Sequence, residues 1–351
     1  MHRLIVAIAL FVCAAGLAAQ TPKNIILFIS DGAGPAHYTA MKNARLEEFN
    51  VGRMTVVGLA TTRCADRNVT DSAAAATALA TGFKTKYEMV GMDPSGNPLE
   101  TVLELAEKRG KATGVVTTAK FFDATPAAFT AHAKHRGEHA EIIAHQIRSG
   151  AELIIGSGAK ALADETTNLT HVPAAAKAQG YTYVTTRAEL DAAANAKKVF
   201  AAFPEQTRDM DYPEAPLPHL TRFALERLKR EAKGFFLMVE HEGTDSSSHQ
   251  NNIPDVNAAL TSFDTAVGIA LDFAAASKDT LVVVTSDHET GGMRVTETKQ
   301  LGRFRIEWST TDHTAVAVPV FAFGPGSGGF AGFYDNTDVG KKLMAVLAKG
   351  K

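Results

Sequence analysis

Acids and histidines recur in this sequence just past its apolar runs. Asp31 follows IILFIS, and Asp123 and Thr125 lie shortly beyond GVVTT. Glu240 ends FFLMVE, with Asp245 and His249 close behind, while Asp287 and His288 follow LVVVTS. A single acid after a strand is ordinarily a turn or capping residue. Four strand ends that all lead into Asp, Glu or His call for a common cause, and metal ligation supplies one. Asp and His together suit zinc, whereas carboxylates with a hydroxyl suit magnesium. These loops carry few cationic partners, so the crowded carboxylates would repel and raise one another's pKa values; bound divalent cations remove that penalty. His135, His139 and His145 sit on helical, charged stretches that suit solvation. His313, just ahead of a strand, is ambiguous on spacing alone.

The stretch TDSAAAATALATG, Thr70 to Gly82, sets one acid and one hydroxyl before a run of alanine. Ser72 alone would read as a helix cap. Beside a metal set it reads as a nucleophile, because serine needs a base or a metal to activate it. TDSAA is not the G-x-S-x-G elbow of a Ser-His-Asp enzyme. A metal-bound alkoxide at a helix start, where free N–H groups attract an anion, is the expected chemistry.

The elements that must carry these residues alternate. Strands are expected at Lys23–Ser30, TVVGLATT, ATGVVTT, ELIIG, GFFLMVE, TLVVVTS and AVAVPVFAFG. Helices are expected at the Ser72 segment, LETVLELAEKRG up to Gly110, DATPAAFTAHAK with Thr125 as its cap before Pro126, HLTRFALERLKREA, the long VNAALTSFDTAVGIALDFAAAS and VGKKLMAVLAK. From about residue 159 to 208 the pattern is weaker and alanine-rich, which fits small α/β elements at a sheet margin. Near-continuous apolar strands alternating with helices predict an α/β fold, a mostly parallel central sheet sandwiched between helices. Chemistry in such sheets gathers beyond the carboxyl ends of the strands, where these acids fall.

Lys+Arg 36 against Asp+Glu 38 gives a net charge of -2 in 351 residues, with no basic block, which argues against a nucleic-acid surface. His2 and Arg3 followed by LIVAIALFVCAAGLAA match a secretory signal peptide, expected at residues 1–19, which leaves 20–351 as one catalytic domain without a stable membrane anchor. Cys64 is then the sole cysteine, so no internal disulfide forms.

With these residues in hand, the chain from about Asn24 onward resembles the alkaline phosphatases. VTDSAAAATALATG resembles the segment of the family's phosphorylated serine, which implies that Ser72 forms a phosphoserine. IILFISDGAG resembles the block whose acid, here Asp31, bridges a zinc and the magnesium site. DATPAAFTAHAKHR resembles the segment that carries a magnesium-site hydroxyl, Thr125, and the phosphate-clamping arginine, Arg136. VEHEGTDSSSH implies Glu240 at magnesium with Asp245 and His249 at one zinc. TSDHETGG implies Asp287 and His288 at the other zinc, and His313 stands where the family has its last zinc histidine.

Three positions depart from the family pattern. His241 replaces a usual glycine, with Glu242 as a competing acid two residues past Glu240; Glu240 is favoured because its separation from Asp245 is the expected one. Asp123, Asp in some members and His in others, implies a magnesium-preferring third site reached through water. Ser246 stands where some relatives carry Lys, His or Trp. The resemblance thus implies two Zn2+ and one Mg2+, hydrolysis of phosphate monoesters, a periplasmic or secreted location and a homodimer. The alternatives are a phosphodiesterase of the same superfamily, whose nucleophile is more often threonine, and an inactive exported metal- or phosphate-binding protein. The C/S-x-P-x-R motif of a sulfatase does not occur around Ser72.

Overall fold

In a computed structural model of the chain, residues 21–44, 49–300 and 303–349 are described; the expected signal segment lies outside them. The strands are β1 (Asn24–Ser30), β2 (Val56–Thr61), β3 (Ala112–Lys120), β4 (Leu153–Ser157), β5 (Tyr181–Val184), β6 (Lys198–Phe203), β7 (Phe235–His241) and β8 (Thr280–Thr285). The short pieces β9 (Glu289–Thr290), β10 (Arg294–Glu297), β11 (Phe304–Glu307) and β12 (His313–Thr314) precede β13 (Val318–Phe323) and β14 (Gly332–Asp335). Ten strands form one sheet in the order β14-β2-β13-β8-β1-β7-β3-β4-β6-β5. All neighbours pair in parallel except β13, which runs antiparallel to both β2 and β8.

β1 lies at the centre with every residue buried. Its side chains alternate between faces, as the period of two requires. Ile25, Leu27 and Ile29 enter one core and Ile26 and Phe28 the other, each roofed by helices. The 25-residue helix Ile253–Ser277, capped by Asn252, covers the second face. It is the one described helix long and apolar enough to cross a membrane, and its inner face instead packs on the sheet. The weakly patterned region supplies β5 and β6 at the margin, as expected.

Two local readings change. The helix expected from Thr125 spans Ala124–Thr130 and is capped by Asp123, whose carboxylate accepts from Ala124 N–H at 2.7 Å. Thr125 therefore lies inside the first turn with its hydroxyl free of capping. β14 has no counterpart in the expected strands: GFYD is only four residues long and half-exposed, too short for alternation to register.

Candidate active site

The carboxyl ends of β1, β3, β7 and β8 converge on one edge of the sheet, and each delivers an acid. Ile29 of β1 lies beside Glu240 of β7 and Thr285 of β8, so Asp31, Glu240 and Asp287 emerge side by side. Gly32 turns the chain after Asp31 in the left-handed region (φ 73°), and its N–H donates to Asp287 Oδ1 at 3.2 Å. A Cβ there would come within 2.7 Å of the Asp245 backbone, so glycine is required. His313 arrives from the opposite direction. Because β13 is antiparallel, its start lies at the finish of β8, and β12 just before it pairs with β9.

The Ser72–Thr81 helix is capped by Asp71, which accepts from Ala73 N–H and Ala74 N–H at 3.2 Å each. With the cap supplied next door, the Ser72 hydroxyl is left free for chemistry. Its Oγ lies 3.3 Å from His288 Nε2. The alanine helix packs close against the helix Asn336–Lys349, where a Cβ on Gly340 would sit 2.6 Å from Gly82 N and 2.7 Å from Ala78 O.

Three groups of donors adjoin one another. Asp245, His288 and His313 offer atoms within 4.8 Å of one another, as do Asp31, Asp287 and His288, and also Asp31, Glu240 and Glu242. His249 joins the first group: its Nε2 is 3.1 Å from Asp245 Oδ2 and 3.2 Å from His313 Nε2. His249 Nδ1 donates to Thr311 O at 2.5 Å and His313 Nδ1 to Thr70 O at 2.9 Å. Both Nε2 atoms are thereby turned toward each other and the acid, the orientation that outer partners impose on metal-ligating imidazoles. A proton or a cation must fill that gap. His288 Nε2 lies 3.1 Å from Asp287 Oδ2 and 3.5 Å from Asp31 Oδ1.

Asp31, Glu240, Asp287 and His288 are fully buried. Both Asp31 carboxylate oxygens, Glu240 Oε1, Asp287 Oδ2 and Thr125 Oγ1 are buried without a hydrogen-bond partner. Orphaned buried oxygens are costly and demand an explanation. The donor set fits divalent cations: oxygen and imidazole together at two corners, oxygen alone at the third. Burial, then the neighbouring Asp287, pushes the Asp31 carboxyl well above its usual range. Burial likewise drives Glu242 well up and Glu240 to about 8, against the hydrogen bond that Glu240 Oε2 accepts from Thr117 at 2.5 Å. Burial would also raise Asp245, but the His249 bond and then His288 and His313 hold it well below the carboxylate range. The same bond lifts His249 to about 9.

Arg136 stands over the serine end of this cluster. Its Nη2 donates to Asp123 Oδ1 at 2.9 Å and its Nη1 lies 3.4 Å from Asp71 Oδ2. Burial lowers the guanidinium's pKa, but Asp123, Asp71 and Glu242 outweigh it and fix the positive charge. Every sequence-derived site residue thus lies in or beside the cluster, with Asp123 at its rim as cap and Arg136 partner. Sequence spacing treated Glu242 as a rival to Glu240, whereas both face Asp31. Their two-residue separation across the end of β7 was the available signal. Thr117, and Thr290, which donates to Asp245, carried no comparable signal. Ser246 Oγ lies between Asp209 Oδ2 at 3.4 Å and Glu242 Oε1 at 3.5 Å.

Known proteins resemble this chain in sequence and in fold. The family model described as alkaline phosphatase matches residues 22–307. Alkaline phosphatase 4 of Bacillus subtilis (strain 168) is 30% identical, over 94% of this chain and 89% of that protein. Streptomycin-6-phosphate phosphatase of Streptomyces griseus is 31% identical, over 93% and 90%. The structure of the alkaline phosphatase from the Antarctic bacterium TAB5 superposes with a TM-score of 0.86 at 31% identity, covering 94% of this chain and 99% of that one. A variant of that enzyme with Mg bound in its M3 site matches equally, at 0.86.

Proposed function

The chain belongs to the alkaline phosphatase family of metal-dependent phosphatases, and from that premise we propose that it hydrolyses phosphate monoesters through a phosphoserine on Ser72. The observation that carries this reading is the Ser72 hydroxyl, freed from capping by Asp71 and facing His288 at the edge of the buried acid cluster. Asp245, His249 and His313 would hold one Zn2+, Asp31, Asp287 and His288 a second, and Asp31, Glu240 and Thr125 an Mg2+. Bound there, the cations would supply Lewis-acid stabilisation of the phosphate oxygens and favour deprotonated serine and water.

The chain's own residues do the rest. The Ser72–Thr81 helix presents its N-terminus to the phosphate. The planar Arg136 fork holds two non-bridging oxygens, with Asp123 and Asp71 orienting it. Ser72 Oγ attacks phosphorus in line, the alcohol leaves, and water then releases phosphate from Ser72. A clamp on two oxygens suits a monoester dianion rather than a diester.

The test is turnover of p-nitrophenyl phosphate against bis-p-nitrophenyl phosphate, with and without chelator. The monoester should be the faster substrate and chelation should abolish its turnover; faster diester hydrolysis, or indifference to chelator, would replace this reading. We further propose that residues 1–19 direct export to the periplasm or medium and that the enzyme acts there, as a homodimer, on small phosphate esters.

A further inference from the structure

We propose that Glu242 is a third carboxylate ligand of the oxygen-bound cation, acting together with Asp31 and Glu240 instead of competing with Glu240. This inference rests on the proposed metal-dependent reading and adds a ligand to it. Oxygens of Asp31, Glu240 and Glu242 all lie within 4.8 Å of one another. Magnesium binds oxygens at about 2.0–2.1 Å, so donors on opposite sides of one ion stand about 4 Å apart, and small side-chain adjustments bring this trio onto a single centre. The unpartnered oxygens point to such an occupant independently of the acids' proximity. Both Asp31 oxygens, Glu240 Oε1 and Thr125 Oγ1 are buried without a hydrogen bond.

Glu242 is placed here by the chain. β7 ends at His241 and the next helix begins at Gly243, so residue 242 occupies the corner. Its N–H donates to Thr118 Oγ1 at 3.0 Å, which pins that corner to β3. Its carbonyl accepts from Asp245 N–H at 3.0 Å, tying the same corner to the histidine-bearing group. Ser246 Oγ, one turn on, lies 3.5 Å from Glu242 Oε1. A third negative ligand raises affinity for a hard divalent cation, since ligand charge count is a principal control on such sites.

The experiment titrates Mg2+ into the zinc-loaded protein by calorimetry, with metal content measured by mass spectrometry, for the wild type, Glu242→Gln and Glu240→Gln. Glu242→Gln is expected to weaken Mg2+ binding on the order of 10–100-fold, the range that even outer partners of a metal command, while zinc content stays unchanged. Glu242→Asp, which keeps the charge, should recover part of the loss. Mg2+ affinity within about twofold of wild type in Glu242→Gln, with Glu240→Gln impaired, would overturn this inference alone. Unchanged affinity in both variants would instead overturn the third-cation assignment. Should Glu242→Gln fold only in Mg2+, the dependence of its melting midpoint on Mg2+ concentration yields the same affinity through linkage.

Discussion

At the scale of single residues, the hydroxyl and the guanidinium make separable predictions. Ser72→Ala should lower monoester turnover by on the order of 10⁶-fold, the scale of loss when a serine nucleophile is removed, while zinc content stays near wild type. Loss of metal in that variant, measured by mass spectrometry, would recast Ser72 as a structural residue. Arg136→Ala removes charge-assisted bonds worth about 1.5–3 kcal/mol, so inhibition by inorganic phosphate should weaken by roughly 10–100-fold. Unchanged inhibition would move the clamp elsewhere. Asp31, Glu240 and Asp287 are legible in the sequence because each ends or closely follows an apolar strand, whereas Arg136 follows no strand and is found only through the family resemblance. His313 is ambiguous in the sequence because its place depends on an antiparallel strand, which spacing does not encode. Thr125 reads as the cap because DATP offers two short side chains able to cap, but Asp123 takes the role.

At the scale of elements, the alanine run of Ser72–Thr81 answers to its neighbour. All ten residues are buried, and the helix Asn336–Lys349 crosses it with Gly340 against the Ala78 and Leu79 carbonyls. Gly340→Ala should therefore cost about 1–3 kcal/mol, the usual range for overpacking, checked by denaturant melts. If its stability matches wild type, the close crossing is not a constraint. The run of small side chains showed in the sequence, but the partner that needs them did not, because that contact joins helices far apart in the chain. The sheet core was legible for the same reason that β1 is: strands buried on both faces read as unbroken apolar runs.

At the scale of the whole molecule, stability should depend on pH in a way that cations reverse. In the cation-free protein Glu240 is raised from 4.5 to about 8, chiefly by burial, and His249 from 6.5 to about 9, chiefly by its bond to Asp245. Asp31 and Glu242, raised mainly by burial, act in the same direction. The folded form keeps protons that the unfolded chain has already released, so stability falls as pH climbs from 6.5 through 8 to 9. His37 and His288, both lowered to about 4 by burial, act oppositely, but only below 6.5. The melting midpoint of chelator-treated protein should therefore be lower at pH 8.5 than at 6.5. Saturating zinc and magnesium should remove that slope, because ligation holds the carboxylates ionised. A chelated protein equally stable at both values would contradict the cation-free electrostatics.

The late position of His313 has a consequence for how the pit is closed. Eight of the ten sheet strands precede this imidazole, which meets Asp245 and His288 only once β12 has been laid against β9. A chain cut short ahead of β12 would keep every acid of β1, β7 and β8 yet lose the side chain that shuts the rim above them.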